Sequence, residues 1–309
     1  RIAERHAHGP SDPAEASPEE KARLAAVRKE LAQGRPTLVH NDFAAASEQD
    51  RAIVSAIVAA GATIEKLHGM QIGSWHLRAD APAADTASHM LMVRNQGPWC
   101  VAPQTEKDPA CNALASKPAQ ISGLYPAWLQ EQTDFCEGLK KEKDAETLRH
   151  QFHVVRGDQG SLKAVPYHQA YAAEMRVVSD KLKEAAAAIQ SDDEAAFKAY
   201  LLAAAQAFLD DSWEQADEAW AKMNAENSRW YLRIGPDEVY FEPCSLKAGF
   251  HISFAKINQD SLVWQRKLDP VKGDMEKALA ELAGLPYRAR DVSFHLPDFI
   301  DIVLNAGDS

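Results

Sequence analysis

Histidine and cysteine are the residues of this 309-residue chain best suited to metal or nucleophilic chemistry, and their spacing narrows what they can do. No His pair stands four apart on a helical stretch, and HExxH is absent. His150 and His153 run into a predicted strand, where positions three apart point to opposite faces. The pair therefore reads as structural or exposed, since zinc needs three or four convergent ligands. His6 and His8 lie in a polar N-terminal arm. There is no GxSxG elbow and no Gly-rich phosphate loop. Cys100, Cys111, Cys136 and Cys244 form no CxxC pair, which removes zinc-ribbon and thioredoxin chemistry. Cys100 and Cys111 flank the polar loop VAPQTEKDPA, which a disulfide could close; the alternative is four reduced thiols packed as small hydrophobes. Motifs alone leave no complete catalytic constellation.

The elements that must position any site follow from caps and periodicity. After the arm (residues 1–16), Ser17, Pro18 and Glu20 form a capping box ahead of Leu24, Val27 and Leu31, and Gly34 ends that helix. A second helix follows Ser47, with Ile53, Ile57, Ile64 and Leu67 at helical spacing. Residues 69–139 are irregular, with SGLYP (122–126) as turn chemistry. Segments 152–156 and 161–165 read as a hairpin. From Pro166 to Asn224 the pattern is helical, with the stripe Tyr171, Met175, Val178 and Leu182 and a second capping box at Ser191 and Glu194. A further helix follows Ser212. Segments 230–234, 239–242 and 249–257 read as strands, followed by a helix at 275–283 and a strand at 299–304. The fold class is α+β: a helix-rich lobe with its strands gathered in the C-terminal third.

Composition excludes whole classes of function. Hydrophobic residues are 46% and charged residues 26%, as in a packed globular protein. Lys plus Arg total 34 and Asp plus Glu 45, a net charge of −11 without a basic run, so a nucleic-acid partner is not expected. The longest apolar run, 57–63, falls well short of the roughly 20 residues of a membrane span.

Residues 228–259, SRWYLRIGPDEVYFEPCSLKAGFHISFAKINQ, add a specific signal. This segment resembles the dipeptidyl peptidase III family of zinc metallopeptidases. Phe241-Glu242-Pro243-Cys244 stands where that family has an aliphatic-Glu-Ser-Tyr motif, and Phe254-Ala255-Lys256-Ile257-Asn258 where it has a Val-Asn-Lys-like strand end. LPDFIDIVLNAGDS, 296–309, is similar to the strand that leads into the family's glycine-rich substrate-binding segment. The resemblance covers 228–309, with weaker similarity back to Pro166.

It implies that residues 151–309 are helices plus a small β-barrel-like sheet, the substrate-binding lobe, while 1–150 form a mostly helical and irregular region without an assigned role. It also implies that Glu242 receives the free ammonium of a peptide substrate. A Glu242→Gln change would then keep the shape and fold while removing the charge. The family's Tyr two positions on is Cys244 here. No catalytic residue and no metal ligand is expected within the chain. Zinc is expected in the complete enzyme, on residues past Ser309, so the partners are peptide substrates and the remaining zinc-bearing part of the same protein. The alternative is a non-catalytic relative that binds peptides or proteins by strand addition; a purely structural helical scaffold is a third reading. The start at Arg1 and the cysteine-bracketed loop favour export, periplasmic or secreted, over the cytoplasm. The strands 230–257 and 299–304 are expected to share one sheet packed on the helices of 166–224.

Overall fold

The computed structural model describes residues 16–35, 39–81, 85–293 and 299–308. His6 and His8 of the arm, and 296–298 and 309 of the closing segment, lie outside the described residues. Helix α1 (Pro18–Ala32) starts at Ser17, whose hydroxyl accepts the Glu20 N–H at 3.2 Å. The Glu20 carboxylate turns to Arg23 instead of closing the box.

Helix α2 (Glu48–Gln71) is capped by Ser47 and buries Ile53, Ile57, Ile64 and Leu67. By length and composition α2 could cross a membrane, but that face is packed in protein, against helix α4 (Ala172–Ala188) and the sheet below, so it is a core helix. Helix α3 (Thr86–Arg94) lies against α1. Helix α5 (Ala195–Asp210) packs on α4 and on helix α6 (Trp213–Trp220). Two further helices, α7 (Gln259–Leu268) and α8 (Lys272–Ala283), follow one another through the short helical turn Asp269–Val271.

Strands β1 (His153–Asp158) and β2 (Ser161–Pro166) pair as the expected hairpin. Strands β3 (Trp230–Pro236), β4 (Phe250–Ile257) and β5 (Ile300–Gly307) form one antiparallel sheet in the order β3-β4-β5, with a register shift at Phe254/Ala255. The α+β class holds. The sheet is open, however, and among the described residues no closed barrel forms: three strands leave β3 and β5 as edges.

The main core joins both halves of the sequence. Phe250 stacks near Tyr167, Tyr171 and Phe208, and Trp230 stacks on Phe254 at 5.1 Å between ring centroids. The sheet's cover therefore includes α2, an N-terminal helix, beside the α4–α5 layer. A second core forms around α1, α3 and Leu114, closed by the Cys100–Cys111 disulfide with a Cα separation of 5.8 Å. Every cysteine is bonded; Cys136 pairs with Cys244 across 108 residues.

Three local readings change. Residues 239–242 form turns, because Pro236 and Pro243 bracket a segment too short to pair and its following N–H groups find a side chain instead. Glu194 does not cap α5. Its fully buried carboxylate accepts from the Ser228 hydroxyl at 2.7 Å and from Arg229 N and Nε, tying the start of α5 to β3. His150 is the residue after the helical turn Ala145–Arg149, outside the strand, so strand alternation does not apply to it. Its ring meets that of His153 at 4.5 Å.

Candidate functional site

The segment between β3 and β4 is built around Glu242, which is 5% exposed. Its Oε2 accepts the Cys244 N–H at 3.0 Å; Oε1 accepts the Lys247 N–H at 3.0 Å and the Leu246 N–H. These three donors draw residues 244–247 round the carboxylate, with Ser245 at φ 50° in the middle of the turn. The Cys136–Cys244 disulfide ties the turn to the helical turn Phe135–Leu139. Lys247 anchors the far side. Its fully buried ammonium donates to the Leu148 and His150 carbonyls and lies 5.9 Å from the Tyr125 ring centroid. Burial pushes this lysine down to about 8, opposed by the charge of Glu242. Burial, helped by the same carboxylate, holds the Tyr125 phenol well above its ordinary range. The Tyr125 hydroxyl is buried beside that carboxylate without the alignment of a formed hydrogen bond.

Glu242 stands in the wall of a cleft of about 310 Å³, together with Ile72, Gln120, Ser122, Phe241 and Pro243. The opposite lip is fixed by close backbone approach: a Cβ on Gly123 would come within 2.1 Å of the Met70 carbonyl oxygen. Ser122 adds a bond to the Gln71 carbonyl at 3.0 Å, so the end of α2 and the 121–123 segment hold each other. A carboxylate offers about four lone-pair sites. Three are taken by backbone N–H groups, and the buried Tyr125 hydroxyl stands beside the carboxylate as a neighbouring donor.

Phe241 continues the wall towards the end of β5. Gly249 is the close point, since a Cβ there would lie 2.8 Å from Asp308 Oδ2 and 3.0 Å from the Phe241 ring. On its other side Phe241 packs at 5.3 Å on the ring of His68, whose own ring burial drives to about 4, against the attraction of Glu65. Glu65 gathers Arg78, Gln96 and the Gly307 N–H. Burial opposes its ionisation, but these donors hold its carboxyl below the usual range. Asp308 runs the other way. Its Oδ2 is buried and unpartnered, and burial, with Glu238 and Asp237 nearby, raises its carboxyl. Asp237, near Glu238 and Asp308, is itself paired with Arg233 at 2.9 Å.

The structure brings Glu242 to a cleft and brings His150 to His153, but among the described residues the histidines meet no third ligand. His150 lies below its ordinary range, through burial first and then its His153 and Lys247 neighbours. Among the described residues, Glu30, Cys100 and Cys111 converge closely enough for a metal. They do not fit one: the sulfurs are joined to each other, and the Glu30 oxygens are taken by Thr105, Asn95 and the Val101 and Ala102 N–H groups. Sequence reasoning missed Lys247, Tyr125 and Asp308. The second disulfide had a signal in simple counting, because closing Cys100–Cys111 leaves Cys136 and Cys244 to each other.

An α+β lobe of this kind, with an open three-stranded sheet carried on long helices and a cleft at the β3–β4 turn, is a dipeptidyl peptidase III-like lobe in its fold. It is similar to the structure of dipeptidyl peptidase III from Caldithrix abyssi, with a TM-score of 0.71 and 22% identity over 91% of this chain and 53% of that one. It is also similar to dipeptidyl-peptidase III from Corallococcus sp. strain EGB, with a TM-score of 0.70 and 21% identity over 92% and 53% of the two chains. The chain thus spans about half the length of these structures. No family model matches it, and no curated protein does.

Proposed function

We propose that this chain is the substrate-binding lobe of a dipeptidyl peptidase III-like zinc metallopeptidase, and that Glu242 receives the N-terminal ammonium of a peptide in the cleft. The observation that carries the reading is the placement of Glu242. It lies in the wall of the cleft on a matching fold, oriented by three backbone donors. An ammonium there makes a charge-assisted bond. Anchoring the N-terminus at a fixed point sets the distance to the bond that is cut, which is the requirement for dipeptide release.

Zinc belongs in this reading to polypeptide outside the 309 residues. The two disulfides support an exported setting, periplasmic or secreted.

The test is metal content and product analysis of the complete gene product. Bound zinc with release of dipeptides from free N-termini, and a KM raised tenfold or more by Glu242→Gln, is the expected result. A zinc-free product that binds peptides without cutting them would favour a binding module. The open edge of β5 gives that second reading its physical basis, through strand addition.

A further inference from the structure

A second cavity, of about 640 Å³, adjoins the Glu242 cleft and shares Ser122 with it. Its walls are largely apolar. The end of α2 supplies Met70, the helical turn Trp75–Asp80 supplies Trp75 and Leu77, and the 118–123 segment supplies Pro118 and Ile121. Close approach sets two of these walls. Gly73 has φ 75°, and a Cβ there would fall 2.0 Å from the Ile121 carbonyl oxygen; a Cβ on Gly69 would lie 3.1 Å from the Trp75 ring.

Two polar side chains complete the lining, Arg156 of β1 and Tyr171 at the start of α4. Arg156 Nη1 donates to the Gly123 and Val155 carbonyls at 3.0 and 3.1 Å, which holds the guanidinium at the wall. Among the described residues it makes no ion pair, although the chain carries a net charge of −11. Tyr171 is 2% exposed, and its hydroxyl lies beside that guanidinium without the alignment of a formed hydrogen bond. A guanidinium has no acceptor atom, so the hydroxyl proton has no taker there. Burial, opposed by the charge of Arg156, raises the Tyr171 phenol above its ordinary range and keeps that proton in place. Glu174 also acts on Tyr171, but its carboxylate is held by Lys66 at 2.8 Å.

We propose that this cavity binds a small carboxylate with an apolar body, either a free organic acid or the C-terminus of a short peptide, with Arg156 and Tyr171 as the donors to its carboxylate. An unpaired guanidinium fork matches a carboxylate in shape and charge. The apolar walls around Trp75 suit an aromatic or branched body and give a bare inorganic anion nothing to bind. The volume falls within the roughly 300–1,000 Å³ of small-molecule pockets, which pair apolar walls with a few placed polar groups. The site is independent of the role proposed for Glu242, which takes a cation.

The test is calorimetric titration of the 309-residue chain with two acids, hydrocinnamate and N-acetyl-leucyl-phenylalanine, each beside its own amide. Acetylation leaves no ammonium for Glu242 to receive. At least one acid should saturate the protein and bind at least about tenfold more tightly than its amide, the loss expected when a charge-assisted bond is removed. Tighter binding of the dipeptide acid identifies a peptide C-terminus as the source, and tighter binding of hydrocinnamate a free acid. Arg156→Gln should weaken the acid about tenfold. Tyr171→Phe removes only a hydroxyl without a formed bond, so the acid should weaken while the melting temperature stays level or rises. This second variant keeps the test decisive if Arg156→Gln fails to fold. Absence of saturable binding by either acid in the millimolar range overturns the proposal. So does equal affinity for acid and amide, or wild-type affinity in either folded variant.

Discussion

Glu242→Gln is not the silent charge deletion that the sequence suggests. The carboxylate serves three backbone donors through two oxygens, whereas a glutamine has one oxygen and an NH₂ group that only donates. The best orientation puts its oxygen towards Leu246 and Lys247 and turns the NH₂ group on the Cys244 N–H. One buried donor is then left unsatisfied, at about 1–3 kcal/mol, and the two surviving bonds lose their charge-assisted share. Lys247 also loses the carboxylate that favours its charged form. The sum is about 2–3 kcal/mol. For a chain of this size, at about 2–4 °C per kcal/mol, the melting temperature should fall by about 4–12 °C. Differential scanning calorimetry on the oxidised protein reads this directly, and the Cys136–Cys244 disulfide should hold the variant folded at 25 °C. A variant that melts with the wild type would refute the capping role of the carboxylate and leave Glu242 free to act only on a ligand.

Other outcomes follow from the same contacts. His68 titrates at about 4 when folded against about 6.5 when unfolded, so below pH 6.5 the unfolded state takes up the extra proton and stability falls until about pH 4. Urea melts should show about 2 kcal/mol lost between pH 7.5 and 5, and a His68→Gln variant should lose most of that slope; an unchanged slope would remove His68 as its source. Lys247→Met should destabilise by about 3 kcal/mol, because it strips the donor from the Leu148 and His150 carbonyls; a neutral result in chemical denaturation would contradict the anchoring role. Removing Cys136–Cys244 should cost more than removing Cys100–Cys111, since the separations are 108 and 11 residues and loop closure predicts a gap of about 2 kcal/mol. Paired Cys→Ser variants would measure it, and equal losses would point to native-state contacts as the cause. Gly61→Ala should weaken the seat of β5 on α2, since the new Cβ would fall 2.3 Å from Leu304 Cδ2; a raised melting temperature would show that Leu304 moves aside freely.

Much of the fold is local enough to read from the chain. Ser17 and Ser47 cap the helices they precede, and the Tyr171, Met175, Val178 and Leu182 stripe is buried as its spacing requires. What escapes local reading is polar and long-range. Glu194 looks like a cap because Ser191 precedes it by three, but a partner 34 or 35 residues away decides its place. Residues 239–242 have strand composition, yet they form turns between Pro236 and Pro243, just ahead of N–H groups that a carboxylate engages. Helix α2 is plain as a helix, while its seat against β4 and β5 depends on contacts about 200 residues distant, which no periodicity encodes. The site was legible in one residue only. Glu242 came from a resemblance, and its supports, Lys247 and Tyr125, belong to segments whose convergence is a property of the folded chain.

The central claim is that the Glu242 cleft recognises a peptide's charged N-terminus, and ligand chemistry tests it without touching the fold. Calorimetric titration of the 309-residue chain with one tetrapeptide, free and N-acetylated, compares the two ligands at pH 7, where the α-amino group is charged. Loss of one partner of a buried charge pair costs about 2–5 kcal/mol, so acetylation should weaken binding at least tenfold, at about 1.4 kcal/mol per factor of ten. Equal affinity for the free and the acetylated peptide would contradict the account.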